Sequence, residues 1–150
     1  MKQLQILLPP VYLLLSLLLM GVLDRYLPLM VLFQAPINYI GFVILTAGLS
    51  LIIACSVMFN KADTPIIPFE PTTALLTHGI YRYSRNPIYL GMLIILLGAA
   101  IAFSSLGPFL VLPVFFFIIR EGYIKYEEPF LEQIFGDRYR EYKSSVRRWL

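Results

Sequence analysis

The chain is poor in cysteine, histidine and charge. It has one cysteine and one histidine, and Asp, Glu, Lys and Arg make up 14% of its 150 residues, against about 25% in soluble domains. Each scarcity removes a class of function. A lone Cys55 excludes an intrachain disulfide and says nothing about compartment. With His78 as the only histidine, a structural zinc site and a bis-histidine haem are out of reach, and no metal is expected. Cys55 is read as helix packing and His78 as a polar loop residue.

Apolar residues are what the chain has in excess, at 59%. Residues 4–23 are apolar apart from Gln5 and Ser16, and residues 37–59 apart from Asn38 and a few small hydroxyl residues. Each run reaches the roughly 20 residues that a helix needs to cross a bilayer. Met1-Lys2 ahead of a leucine run also suits a signal peptide. However, the run exceeds an h-region of about 7–15 residues and no small-x-small cleavage site follows, so a retained membrane helix is expected. A third run, residues 88–119, would be about 48 Å long as one helix, too much for a hydrocarbon core of about 30 Å. Ser104-Ser105-Leu106-Gly107-Pro108 interrupts it with residues that favour a turn. A helical hairpin is expected, residues 88–103 and 108–120, its second arm kinked at Pro113 and tilted or continued past the surface with Arg120, Glu121 and Glu127. The expected fold is an all-α integral membrane protein of about four transmembrane helices, the last two a hairpin.

Basic residues orient it. The loop after the second run carries Lys61, Arg82 and Arg85. The tail carries Arg120, Lys125, Arg138, Arg140, Lys143, Arg147 and Arg148, while the opposite turns hold only Arg25. By the positive-inside rule both termini and the long loop lie on the cytoplasmic side. In the tail, Tyr139, Tyr142, Val146 and Trp149 recur at spacings of three and four with the cations mostly off that stripe. This pattern predicts an amphipathic helix in the membrane interface, capped by Asp137 after a stop at Gly136, and argues against a nucleic-acid partner.

Two polar clusters stand at the edges of the apolar runs. The first is Tyr81-Arg82-Tyr83-Ser84-Arg85-Asn86-Pro87-Ile88-Tyr89-Leu90-Gly91; the second is Arg120-Glu121 followed by Glu127-Glu128. In the loop between the second and third runs, Pro65, Pro68 and Pro71 recur at the three-residue period of polyproline II, so the segment either lines a groove or spans a distance. Asn86 suits a helix N-cap and Pro87 the first helical position. That places the free amides and positive dipole end of the third helix beside Arg82 and Arg85, an arrangement suited to an anion. The plainer alternative is that these arginines and tyrosines are interfacial anchors. Seven residues separate Arg120 from Glu127, which puts them on one helix face, with Glu121 and Glu128 on the next. A half-buried carboxylate near an arginine suits an ammonium or a ribose diol, and an arginine with a helix N-terminus suits a carboxylate. A ligand with an amino-acid end, a ribose and a cation, such as S-adenosylmethionine, meets all of these groups. The plainer alternative is surface pairing with Lys125 or Arg120.

Arg85-Asn86-Pro87-Ile88-Tyr89-Leu90-Gly91, followed after the hairpin by Glu127-Glu128-Pro129-Phe130-Leu131 and then Phe135-Gly136, Tyr139 and Tyr142, resembles a paired motif. The motif marks the integral-membrane methyltransferases, namely the isoprenylcysteine carboxyl methyltransferases and the related phospholipid methyltransferases. The resemblance covers residues 72–150, about half the chain. It implies a single domain, with residues 1–59 as two membrane helices and residues 60–150 as cofactor loop, hairpin and catalytic segment. It implies S-adenosylmethionine-dependent methyl transfer to a lipophilic acceptor at the cytoplasmic face, whether an isoprenylcysteine-like carboxylate, a phospholipid amine or another hydrophobic molecule. By motif position, Thr73, Ala74, Leu75, Leu76, Tyr81, Asn86, Pro87, Ile88, Tyr89 and Glu127 would contact the cofactor. Arg85, Glu127 and Glu128 would serve catalysis, and Arg120 and Tyr123 the acceptor. Two departures stand out: Asn86 replaces the commonest histidine, and Tyr123 stands where the isoprenylcysteine branch has a substrate-binding arginine. The competing class is a non-catalytic four-helix membrane protein with a lipid-binding tail, against which polar residues are nearly absent from the middles of the helices.

Overall fold

The computed structural model describes residues 8–67 and 72–150, and those residues are helical with no named strand. Pro68 and Pro71 of the proline series, and the first seven residues including Met1 and Lys2, lie outside the described residues. Helix α1 (Pro9–Tyr26) starts on two prolines, whose fixed φ suits a first turn that needs no N–H donors. Helix α2 (Ile40–Lys61) follows a short 3-10 turn at Ile37–Tyr39. Helix α3 (Pro87–Phe103) opens on Pro87 and ends at Ser104, which takes the left-handed conformation at φ 72°. Beyond it come α4 (Leu106–Phe109), α5 (Val111–Ile119), a π-turn at Arg120–Ile124, α6 (Lys125–Phe135) and α7 (Asp137–Ser145).

Among the described residues three helical stretches are long and apolar enough to cross a membrane: Pro9–Tyr26, Ile37–Lys61 and Leu106–Phe135. Helix α3 is equally apolar but shorter, at 17 residues. The expected turn at residues 104–108 narrows to Ser104 and Ser105, with Gly107 and Pro108 already inside α4. Backbone bonds from Leu32 to the Ser104 carbonyl and from Leu106 to the Met30 carbonyl fasten this turn to the α1–α2 connection. The kink expected at Pro113 appears at Leu110, between α4 and α5, because Pro113 has no N–H to give the Phe109 carbonyl. The second arm does not stop at Arg120. It runs on to Phe135, and 30 residues make a helix of about 45 Å, so its charged last third projects past a hydrocarbon layer of about 30 Å.

Helix α3 lies at the centre. Met92, Leu96, Ala99 and Ala100 are buried against Met20 of α1 and Val111, Phe115 and Ile119 of α5. Against α2 the approach is closer still. A Cβ on Gly98 would fall 2.6 Å from the Gly41 carbonyl oxygen, and one on Gly48 would fall 2.7 Å from the Gly91 carbonyl oxygen. The two backbones touch at glycines seven residues apart on each helix. By contrast α1 and α2 turn Leu14, Leu18, Val43 and Ile53 outward, as a lipid-facing surface requires.

Candidate functional site

The Asn86–Pro87 junction sets the site. Asn86 occupies the N-cap position of α3, but its side chain does not cap the helix. Its amide donates instead to the Arg148 carbonyl at 3.1 Å, while Ser84 Oγ accepts the Asn86 N–H at 3.1 Å. The first-turn amides of α3 thus carry no side-chain cap, and Asn86, Pro87, Ile88 and Tyr89 line a cavity of about 360 Å³.

The loop before α3 forms another wall. Thr73 Oγ1 donates to the Asp63 carbonyl at 3.0 Å and the Thr73 N–H to Thr64 Oγ1 at 3.0 Å. These bonds tie Thr73 back to Asp63 and Thr64. Thr73 itself points away from the cavity wall, which is made by Thr72, Ala74, Leu75 and Leu76. A 3-10 turn at Gly79–Arg82 then turns Tyr81 inward, 7% exposed, and leaves Tyr83 outside at 73%.

The carboxylates enter from α6. Sequence spacing put Arg120 and Glu127 on one face, but the π-turn at Arg120–Ile124 adds a residue to the turn and shifts everything beyond it. Arg120 consequently faces the outer surface, where it pairs with Glu121 at 3.4 Å. Glu127 turns into the cavity and accepts the Tyr89 hydroxyl at 2.9 Å. Tyr123 is buried between the rings of Tyr12 and Tyr89, at 6.0 and 6.4 Å, and forms no part of the cavity wall. Thr73, Arg120 and Tyr123 therefore stand apart from the group formed by Ala74, Leu75, Leu76, Tyr81, Arg85, Asn86, Pro87, Ile88, Tyr89, Glu127 and Glu128.

Adjacent in sequence, Glu127 and Glu128 have opposite surroundings. Glu128 is buried and clamped by two arginines: Arg85 Nη2 lies 3.1 Å from Oε1, and Arg148 reaches Oε1 and Oε2 at 3.0 and 2.6 Å. Pairing of this kind stabilises all three charges, and it raises the Arg148 pKa further. Among the described residues no cation pairs with Glu127. Among the same residues the Arg85 Nε is also buried without a hydrogen-bond partner. Orphaned buried donors are scarce in folded proteins, and this one lies beneath the cavity surface.

The C-terminal segment closes the remaining side, a role that sequence spacing did not assign to Arg148. The Arg85 N–H donates to the Arg147 carbonyl at 3.0 Å, and Trp149 stacks on Phe116 with ring centroids 5.1 Å apart. Asp137 lies in the first turn of α7 and Gly136, at φ 55°, takes the junction. The helix ends at Ser145, so the expected stripe is broken before Trp149. Tyr139 and Tyr142 do not face lipid. They pack on Cys55, Leu76 and Tyr81 and line the cavity. Tyr142 donates to the Tyr81 carbonyl at 2.7 Å. Burial pushes its hydroxyl up to about 12, against the opposing pull of Arg85. Burial also holds Tyr81 and Tyr139 above the usual range, helped by Cys55 and Glu127 at the first and Glu128 at the second. All three hydroxyls are neutral donors.

Away from the polar end the cavity is apolar. Leu8, Pro9 and Pro10 at the start of α1, Ile66 and Ile67 of the loop, Ile52 of α2 and Met92 of α3 form its walls. One end offers helix amides, a guanidinium and a free carboxylate; the other offers hydrocarbon. No cluster of metal ligands occurs among the described residues.

Comparison with known proteins identifies the family. Residues 37–138 match the family model described as phospholipid methyltransferase. The chain is 34% identical over 116 residues to a probable protein-S-isoprenylcysteine O-methyltransferase of Oryza sativa subsp. indica, covering 73% of this chain and 59% of that protein. It is 34% identical over 115 residues to protein-S-isoprenylcysteine O-methyltransferase A of Arabidopsis thaliana, covering 57% of it. A Schizosaccharomyces pombe protein-S-isoprenylcysteine O-methyltransferase matches at 33% over 72 residues, 48% of this chain and 30% of that protein. The chain thus spans less than two thirds of the length of these relatives. No solved structure matches it. With a family match that runs from the 3-10 turn before α2 into α7, the chain belongs to the phospholipid methyltransferase family.

Proposed function

We propose that the protein is an integral-membrane methyltransferase that uses S-adenosylmethionine to methylate a lipophilic acceptor. The observation that carries this reading is the cavity itself, whose wall brings together the uncapped start of α3, Arg85 and the cation-free Glu127 in an otherwise apolar chamber. These groups fit the cofactor. The Ile88 and Tyr89 amides with Arg85 suit its carboxylate, and Glu127 suits its ammonium or ribose diol. Bound there, the cofactor supplies an electrophilic methyl group on a sulfonium.

The chain's own part is alignment and exclusion of water. The Arg85–Glu128–Arg148 clamp fixes the polar wall, and Tyr139 and Tyr142 seal it. Tyr89 holds one oxygen of Glu127 and leaves the other facing the cavity, where it accepts a proton if the acceptor is an amine. A carboxylate acceptor, as in the isoprenylcysteine relatives, needs no base. At about 360 Å³ the cavity is near the lower end of the roughly 300–1,000 Å³ of small-molecule sites. The acceptor's hydrocarbon therefore stays in the bilayer and only its reacting end enters. In this reading α3 completes a fourth crossing, and the positive-inside bias sets the cavity and both termini on the cytoplasmic side.

The test uses detergent-solubilised protein and labelled S-adenosylmethionine, first alone and then with a total lipid extract. Saturable binding, weakened by Glu127→Ala and Arg85→Ala, and label in an extractable lipid are expected. No saturable binding of the cofactor or of S-adenosylhomocysteine removes the enzyme reading. Binding that survives both substitutions moves the site elsewhere.

A further inference from the structure

On the far side of Glu128 from the cavity lies a second, polar groove of about 300 Å³, bordered by Arg120, Glu121, Lys125, Glu128, Lys143 and Arg148. Its carboxylates are each shared between two cations. Glu121 takes Arg120 at 3.4 Å and Lys125 at 2.9 Å, and Glu128 takes Arg85 and Arg148. Arg85 faces the cavity, so the groove wall itself sets four cations, Arg120, Lys125, Lys143 and Arg148, against two carboxylates, Glu121 and Glu128. Lys143 adds an ammonium on the third side, although it also reaches Glu132 at 3.4 Å. The cations come from the π-turn, α6, α7 and the C-terminal segment, so the fold, not one helix face, assembles them.

The position of the groove selects its ligand. Arg120 follows directly on Ile119, the last residue of apolar α5, whose Val114 and Phe117 are exposed. Trp149, next to Arg148, stacks half-buried on Phe116 of the same helix, as tryptophans do at the headgroup level. A concave, net-positive site at the edge of the hydrocarbon matches a phosphate group carried at that depth. We infer that this groove binds the phosphate of an anionic phospholipid that is not the methyl acceptor, since Glu128 and its two arginines wall it off from the cavity. The inference does not depend on the proposed reaction.

Trp149 is the only tryptophan in the chain and reports on the site directly. The full chain is placed in nanodiscs containing equal fractions of brominated phosphatidylglycerol or brominated phosphatidylcholine, and tryptophan quenching is compared. Roughly twofold stronger quenching by the anionic lipid is expected if the cations concentrate it there. The double substitution Arg120→Gln/Lys125→Gln, at side chains 45% and 62% exposed, should bring the two lipids level. Inorganic phosphate that abolishes the preference assigns the groove to the phosphate group alone; a preference that persists assigns it to phosphate presented by lipid. Equal quenching of the unaltered chain by the two lipids overturns the inference, as does a preference undiminished in the double variant.

Discussion

Glu127 and Glu128 differ by one residue, yet their replacement by glutamine should have opposite consequences. Glu128→Gln leaves the charge of Arg85, whose side chain is only 9% exposed, beside an amide that cannot neutralise it. Breaking a buried pair of this kind costs about 3–5 kcal/mol. The Arg148 contact, 37% exposed on the arginine side, adds at most about 1 kcal/mol. Glu127 has no ion pair to lose, and a glutamine can still accept the Tyr89 hydroxyl, so Glu127→Gln should change stability by less than about 1 kcal/mol. Its cost falls on the ligand: a charge-assisted contact of about 1.5–3 kcal/mol corresponds to about 10- to 150-fold in affinity. The assay is equilibrium unfolding in mixed detergent micelles together with S-adenosylhomocysteine binding on the same samples. Equal destabilisation by the two substitutions, or a silent Glu128→Gln, would show that the two carboxylates do not divide the work between structure and binding.

Other substitutions probe the frame around the site. Gly98→Ala drives a methyl group into the Gly41 carbonyl and the Leu45 backbone. It should cost about 1–3 kcal/mol or more, read as a lowered thermal midpoint. Asn86→Ala removes one bond to the Arg148 carbonyl, worth about 0.5–1.5 kcal/mol, and should speed amide exchange across residues 146–150. Tyr142→Phe leaves the Tyr81 carbonyl without that donor, at about 1–3 kcal/mol. Since Tyr142 ionises at 10.0 when unfolded and at about 12 when folded, its contribution is full below pH 10 and is lost as the pH rises toward 12. The unfolding midpoint should fall across that window, and less steeply in Tyr142→Phe.

Local chemistry made much of this molecule legible. Apolar length located the helices to within a few residues, as with residues 37–59 against the observed Ile37–Lys61. Pro87 marked the start of α3 because a proline can begin a helix but not continue one. The spacing argument for Arg120 and Glu127 failed at the π-turn, where 3.6 residues per turn no longer holds. The stripe of Tyr139 and Tyr142 was a true amphipathic signal, but periodicity says only that a face is buried, not whether lipid or protein covers it. Asn86 has the composition of a cap, yet tertiary contact with the C-terminal segment redirected its amide. Arg148 had no local signature, since its role depends on a segment that folds back across sixty residues to Ser84 and Asn86. The glycines at positions 41, 48, 91 and 98 gave no reading in the sequence, because each matters only for the backbone it meets across the helix pair once α2 and α3 lie side by side.

That glycine contact determines which walls of the chamber can give. Where two helices meet backbone to backbone at glycines, with Ile52 and Ile95 closed over the contact, little room is left to re-pack, so α2 and α3 behave as the stator of the molecule, and the amides at the head of α3 are fixed with them. In the proposed reaction, traffic between the chamber and the bilayer would fall to the wall of Leu8, Pro9, Pro10, Ile66 and Ile67, which presents hydrocarbon and holds none of these glycines. Substitutions in that wall should alter which acceptors enter, and leave the grip on the cofactor end untouched.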